Sequence, residues 1–315
     1  MIFRKGLALL LALGTLLPFP APALEVVASI KPFHALTAAI MGETGTPSLL
    51  IRGNGSPHTY ALRPSDARLL EGADLIVWGG PALEGFLSRP LDNLPKKALL
   101  LPLLATEGLN RLSARQGGAW SGEAGHDDHA DHADHAEKHH QHGPVDPHIW
   151  LDPDNAVMLG SSIAASLGRL DPARVATYRR NAETLAGRLK ELDRELATLL
   201  APVRERPFIV FHDAYHYFEQ HYGLKAAGSL LVDAERPPGA RRIQAISKRI
   251  QESGAQCLFT EPQFPQRLAA TVTENRPLRL GVLDPLGAGL TDGPELYFQL
   301  MRNLARALLS CLTSG

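Results

Sequence analysis

Residues 171–207 read DPARVATYRRNAETLAGRLKELDRELATLLAPVRERP. Within this stretch Val175, Tyr178, Ala182, Leu185, Leu189, Leu192, Leu196, Leu199 and Val203 recur at alternating spacings of three and four. That is one apolar stripe on one long helix. Asp171-Pro172 supplies an N-cap followed by proline at the first helical position, and Pro202 and Pro207 bracket the far end. At 1.5 Å per residue the helix spans roughly 45 Å, more than the width of one small domain. An isolated coiled coil would also show such a stripe. The sequence on either side favours a spine packed along two domains, stiffer than a loop linker.

Upstream, Glu25–Ile30, Ser48–Ile51, Leu75–Trp78 and Ala98–Leu101 read as strands separated by helical patterns. Downstream, Phe208–Phe211, Lys225–Leu231, Cys257–Thr260 and Arg279–Leu283 repeat the alternation. Such βαβ order predicts parallel sheets covered by helices on both faces. The expected organisation is an N-terminal α/β lobe over 24–170, a spine helix over 171–205 and a C-terminal α/β lobe over 206–315. The 315 residues suit two domains. With 44% hydrophobic residues, 21% charged and a formal net charge of -1, the chain reads as globular. Near-neutral charge gives no global field for nucleic acid, so a ligand must be recognised at a local site.

The N-terminus carries Arg4-Lys5, an apolar run from Gly6 to Leu17 and an Ala21-Pro22-Ala23 exit. This predicts a secretory signal peptide over 1–23, cleaved after Ala23. About a dozen apolar residues fall short of the ~20 needed for a membrane anchor. No cysteine near the exit invites acylation, so a free soluble chain without a membrane anchor is expected. In an oxidising compartment Cys257 and Cys311 form a natural disulfide; two separate buried thiols are the alternative.

Thirteen histidines accompany those two cysteines. Too few thiolates are present for a zinc finger or iron–sulfur centre, whereas imidazole sites remain open. Seven histidines, His126, His129, His132, His135, His139, His140 and His142, lie in a low-complexity His/Asp-rich tract within 117–143. Such a tract cannot bury a core, which predicts a surface loop with weak, multi-site metal binding; a passive spacer is the alternative. Of the other six, His58 follows the strand at Ser48–Ile51, His148 precedes a helix and His212 follows the strand at Phe208–Phe211. Loops beyond the carboxyl ends of parallel strands are where open α/β sheets place ligands. His216, His221 and His34 have weaker claims. His216 stands one helical turn after His212, and His34 is a candidate for a pocket wall. Asp152 or Asp213 is expected to orient a liganding imidazole by accepting its second N–H.

The runs Gly55-Ser-Pro-His58-Thr-Tyr-Ala-Leu-Arg63-Pro64-Ser65-Asp66, Asp146-Pro-His148-Ile-Trp150-Leu-Asp152-Pro, Phe211-His212-Asp213-Ala-Tyr215 and Leu283-Asp284-Pro285-Leu-Gly287 stand in order along the chain. Together with the His-rich insert, the spine and the late cysteine pair, they resemble the zinc-binding periplasmic component of the high-affinity zinc ABC importers. The resemblance implies two α/β lobes joined by a rigid helix, with the transported zinc ion in the cleft between them. It implies His58 and His148 as ligands from the first lobe and His212 from the second. Asp284 matches a carboxylate that ligates metal in manganese-binding relatives. Some zinc members carry Glu immediately before the first histidine; Pro57 stands there in this chain. Asp284 or a water must then complete the tetrahedron, and water with Asp284 nearby is the reading preferred.

Neutral imidazoles suit Zn²⁺, while Mn²⁺ prefers oxygen donors. The function implied is a periplasmic, monomeric zinc receptor that hands its cargo to the transmembrane subunits of an ABC permease. A zinc hydrolase is the competing class, because three histidines and an open position also describe catalytic zinc. The chain lacks His-Glu-x-x-His and Gly-x-Ser-x-Gly motifs, so no enzyme is expected. A zinc buffer without a permease shares every site residue.

Overall fold

A computed structural model describes residues 23–94, 98–115, 145–231, 238–265, 267–273 and 278–314. Nearly all of the expected leader and the whole run from His126 to His142 lie outside the described residues. In the first lobe β1 (Val26–Ala28), α1 (Lys31–Met41), β2 (Ser48–Leu49), α2 (Pro64–Glu71), β3 (Leu75–Trp78), α3 (Ser88–Asp92), β4 (Leu99–Pro102) and α4 (Pro153–Leu170) follow one another. The long helix α5 (Val175–Leu200) comes next. The second lobe contains β5 (Phe208–His212), α6 (His216–Tyr222), β6 (Ala226–Leu231), α7 (Ala240–Ser253), β7 (Cys257–Thr260), α8 (Arg267–Thr273), β8 (Arg279–Val282) and α9 (Leu296–Thr313).

Both sheets are four-stranded and wholly parallel, with orders β2-β1-β3-β4 and β6-β5-β7-β8. All eight strands fall where apolar runs predict them; β1, β3, β5 and β7, covered on both faces, bury every residue, while the edge strands β4 and β8 leave Leu100, Leu280 and Val282 exposed. The alternation is visible within β5. Phe208 and Val210 join the main core, while Ile209 and Phe211 join a separate cluster on the other face. In each sheet the chain leaves the first strand to one side and returns on the other. That puts a topological switch point between β1 and β3, and another between β5 and β7.

On α5 the stripe residues Tyr178, Leu185, Leu189, Leu192 and Leu196 are buried and Val175, Ala182 and Leu199 are partly so, while Leu200, outside the stripe, is buried in place of Leu199. The helix packs on α1 and α4 of the first lobe and on α6 and α9 of the second. One continuous apolar core therefore runs through both lobes. At Gly160 of α4 a Cβ would stand 2.9 Å from Leu185 Cδ2, so the glycine lets α4 seat against the stripe. The start differs from expectation. Asp171 precedes a 3-10 turn, Pro172–Arg174, before α5 begins, and its carboxylate accepts from Arg174 Nη1 at 2.7 Å and Tyr178 OH at 3.0 Å.

Cys257 and Cys311 form a disulfide that ties β7 to α9. With the two cysteines 54 positions apart in sequence, loss of the crosslink in the chain-entropy model costs about 4 kcal/mol. The Cys257→Ser/Cys311→Ser double variant should show that loss in a denaturant titration. An unchanged midpoint would mean that the native packing relaxes to offset it.

Candidate metal centre

His212 is the last residue of β5, at the switch point of the second sheet, and Glu261 follows the last residue of the neighbouring β7. His148 precedes a 3-10 turn, Ile149–Leu151, that leads into α4. His58 sits in the loop between β2 and α2. These three histidines form a metal-capable group whose ligand atoms all lie within 4.8 Å of one another. The His148 Nε2 atom is 3.3 Å from His58 Nε2 and 3.4 Å from His212 Nε2.

Between neutral rings the His148–His212 contact is not a hydrogen bond. His148 Nδ1 lies 2.7 Å from Asp146 Oδ1 and His212 Nδ1 lies 2.6 Å from Glu261 Oε1. In the neutral ring the proton belongs on Nδ1, facing the carboxylate, so each Nε2 presents a lone pair to the centre. Two lone pairs that close repel unless a cation lies between them. Zinc–nitrogen bonds of about 2.0–2.1 Å at tetrahedral angles place ligand nitrogens about 3.3–3.4 Å apart, which is the spacing found. The donor set therefore fits a zinc ion with one position left open.

The supporting carboxylates differ from those expected. Asp146 reaches forward two residues, and its Oδ1 also accepts from the backbone N–H of His148 at 3.0 Å. Both Asp146 and Glu261 are buried. Burial opposes the charge on Asp146, yet the His148 ring and its hydrogen bonds hold that carboxyl well below the usual range. At His212 burial works against a positive ring, and the Glu261 carboxylate outweighs it, raising the imidazole's affinity for a proton. His58 goes the other way: burial and the two neighbouring imidazoles push it well below its ordinary value.

Asp152 instead accepts from Asp154 N at the start of α4 and lies 3.2 Å from His221 Nδ1. Asp213 accepts from Arg115 Nε at 2.9 Å. Asp284 is held in its own loop, where Oδ1 accepts from Gln263 Nε2, Leu286 N and Gly287 N and Oδ2 from Ala288 N. It is not in the three-histidine group. His34 is buried with Nε2 2.9 Å from the Pro47 carbonyl, and the cleft wall is built instead by Ser56, Pro57, Trp150, Phe264, Pro285 and Leu286. His216 Nδ1 is 3.7 Å from Asp146 Oδ2, behind His148.

Among the described residues a second metal-capable group joins Asp152, Asp154 and His221. Both ring nitrogens of His221 face carboxylates there, Asp152 and, at 2.8 Å, Asp193 of the spine. Hydrogen bonding to Asp152 raises its pKa to about 9 despite burial. His221 is a protonated clasp between α6, α4 and α5.

Two parallel-sheet lobes on one continuous helical spine, with an imidazole centre built from both, define a metal-binding solute-binding protein. The chain belongs to the family described as zinc-uptake complex component A, periplasmic, whose model matches residues 26–311. It is 46% identical over 308 residues to the high-affinity zinc uptake system protein ZnuA of Brucella suis, covering 91% of each chain. It is 40% identical over 323 residues to the protein of that name from Paracoccus denitrificans, covering 99% of each. A solved crystal structure of ZnuA shares the fold, with a TM-score of 0.77 at 24% identity over 93% of this chain and 100% of that one. The protein is a zinc-binding receptor for zinc import.

Because Asp146 and Glu261 set tautomer and ring orientation, Asp146→Asn and Glu261→Gln should each weaken zinc binding by roughly 10–100-fold. Competition against a chromogenic chelator measures this. Unchanged affinity in both variants would remove the carboxylates from the site.

Proposed function

We propose that the chain binds one Zn²⁺ through the Nε2 atoms of His58, His148 and His212, and delivers it to the transmembrane subunits of an ABC permease. The observation that carries this reading is the spacing of those nitrogens, 3.3 and 3.4 Å, on rings whose opposite nitrogens meet carboxylates. Solvent fills the fourth position, since Asp284 spends its oxygens on four donors of its own lobe. Residues 1–23 serve as a leader cleaved after Ala23, and the chain works in the periplasm as an unanchored monomer. No helix among the described residues is long and apolar enough to cross a membrane. Binding rather than hydrolysis is the function: the family is a zinc-uptake component, and Pro57, Trp150, Phe264, Pro285 and Leu286 line much of the cleft beside the histidines. Zinc-limited growth of cells lacking this chain should be restored by the wild type and not by His148→Ala. Restoration by both would break the link between the centre and uptake.

The histidines of residues 126–142 form a separate, weaker element that gathers zinc for the cleft. Removal of residues 125–143 should leave one tight zinc per chain, lower the total stoichiometry and slow loading from dilute zinc. Identical stoichiometry and loading rate would reduce the segment to a spacer.

A further inference from the structure

Two of the three proposed ligands are built into the frame, and the third is not. His148 is pinned by Asp146 and is followed by Ile149, Trp150 and Leu151, all buried. His212 ends a central strand against Glu261. His58 is half-buried in a loop whose Arg52, Gly53 and Asn54 are exposed. Among the described residues its Nδ1 has no hydrogen-bond partner. The loop's hydrogen bonds there stay local: Arg52 Nε to the Leu49 carbonyl, His58 N to Ser56 Oγ, Thr59 N to the Ser56 carbonyl, and Tyr60 OH to Asp66 Oδ2. None crosses to the second lobe.

The lobes, by contrast, are stitched together beside the centre. Trp150 Nε1 donates to the Pro285 carbonyl at 2.8 Å, and Tyr297 OH to the Trp150 carbonyl at 2.7 Å. Tyr217 OH donates to the Asp146 carbonyl at 3.0 Å. Lys31 Nζ at the start of α1 donates to the carbonyls of Ala288 and Leu290. All of these join first lobe to second, over an apolar core continuous through α5. Separation would break buried hydrogen bonds and expose apolar surface together. Domain motion is the default unless an interface is extensive and hydrophobic, and here one apolar core continues through both lobes.

We propose that His58 is the exchange ligand: zinc enters and leaves by displacement of the loop from Arg52 to Leu62 while the lobes stay docked, with His148 and His212 holding the ion until His58 lets go. This rests on the three-histidine reading above. A recipient then approaches from the His58 side, where a competing donor can replace one imidazole at a time.

The test is the rate at which a strong chelator strips zinc from the full-length protein, in two variants that leave all three histidines in place. Tyr60→Ala removes the loop's tie to Asp66 and its ring contact with Phe86, whose centroids lie 5.4 Å apart. It should speed release about tenfold, as expected for one lost tether. Lys31→Met removes an inter-lobe tie and should change the rate less than about twofold on the same reasoning. Hydrogen exchange on the wild type is a second readout, independent of either variant. Zinc should slow exchange across 52–63 and leave 149–151 and 283–291 unaffected. Faster release in Lys31→Met than in Tyr60→Ala, or zinc protection spread through the inter-lobe segments, overturns the proposal. Equilibrium titration of His148→Ala separates the two levels: tight binding retained there means that the ligand assignment has failed, not the exchange route.

Discussion

Replacing His148 by alanine is expected to weaken zinc binding at the cleft by more than about a hundredfold, beyond the 10–100-fold range for supporting residues. The variant loses the nitrogen that stands between the other two, and also leaves the buried Asp146 carboxylate without the ring it faces. His212→Ala should be as severe for the same reason, through Glu261. His58→Ala removes a ligand but strands no carboxylate, so its loss should be the smallest of the three. Calorimetric titration of protein lacking 125–143 isolates the cleft from the His-rich run. Equal tight binding in all three variants would move the zinc elsewhere in the molecule.

The second large effect is on pH. Zinc needs each imidazole neutral, so bound protons compete with it. At His212 burial disfavours the proton but Glu261 favours it more, so this ring charges at a pH above the ordinary histidine value of 6.5. His58 stays neutral below that value because burial and the adjacent rings disfavour its charge. As pH falls, affinity should therefore decline early through His212, at about tenfold per pH unit below its pKa, and His58 should add to the decline at lower pH. From pH 7.5 to 5.5 the expected loss is roughly 10–100-fold. Glu261→Gln takes away the charge that holds the proton on His212, so the decline should begin at lower pH in that variant. Chelator competition across pH measures both, and a flat profile would contradict a three-imidazole site.

Strand positions and the spine were legible because burial on both faces of a parallel sheet, and along one face of a helix, leaves a periodic record in the chain. The helix start was less so: Asp171-Pro172 reads as the cap of α5, yet the side chain is drawn to Tyr178 and Arg174. At the centre, spacing alone did not single out His58, His148 and His212 from other loop histidines; the resemblance of the surrounding runs did. The supporting carboxylates were assigned to near neighbours, Asp152 and Asp213, because sequence distance is a poor guide at a strand end. The Asp213 side chain beside His212 turns to Arg115, while Glu261, 49 residues away, meets the ring. One signal was present: Glu261 follows a parallel strand at its carboxyl end, where the switch-point rule places ligands. The fate of Asp284 depends on a loop in which Gly287 adopts a φ of 68°, a left-handed conformation suited to glycine. There the carboxylate folds back on the following backbone N–H groups instead of reaching the cleft.

The most direct measurement is zinc K-edge X-ray absorption of the one-to-one complex formed by protein lacking residues 125–143. The account predicts three imidazole nitrogens at about 2.0–2.1 Å and a single oxygen, with imidazole outer-shell scattering reduced by one ring in each of the three histidine variants. A shell dominated by oxygen, or one unchanged in His148→Ala, would contradict it.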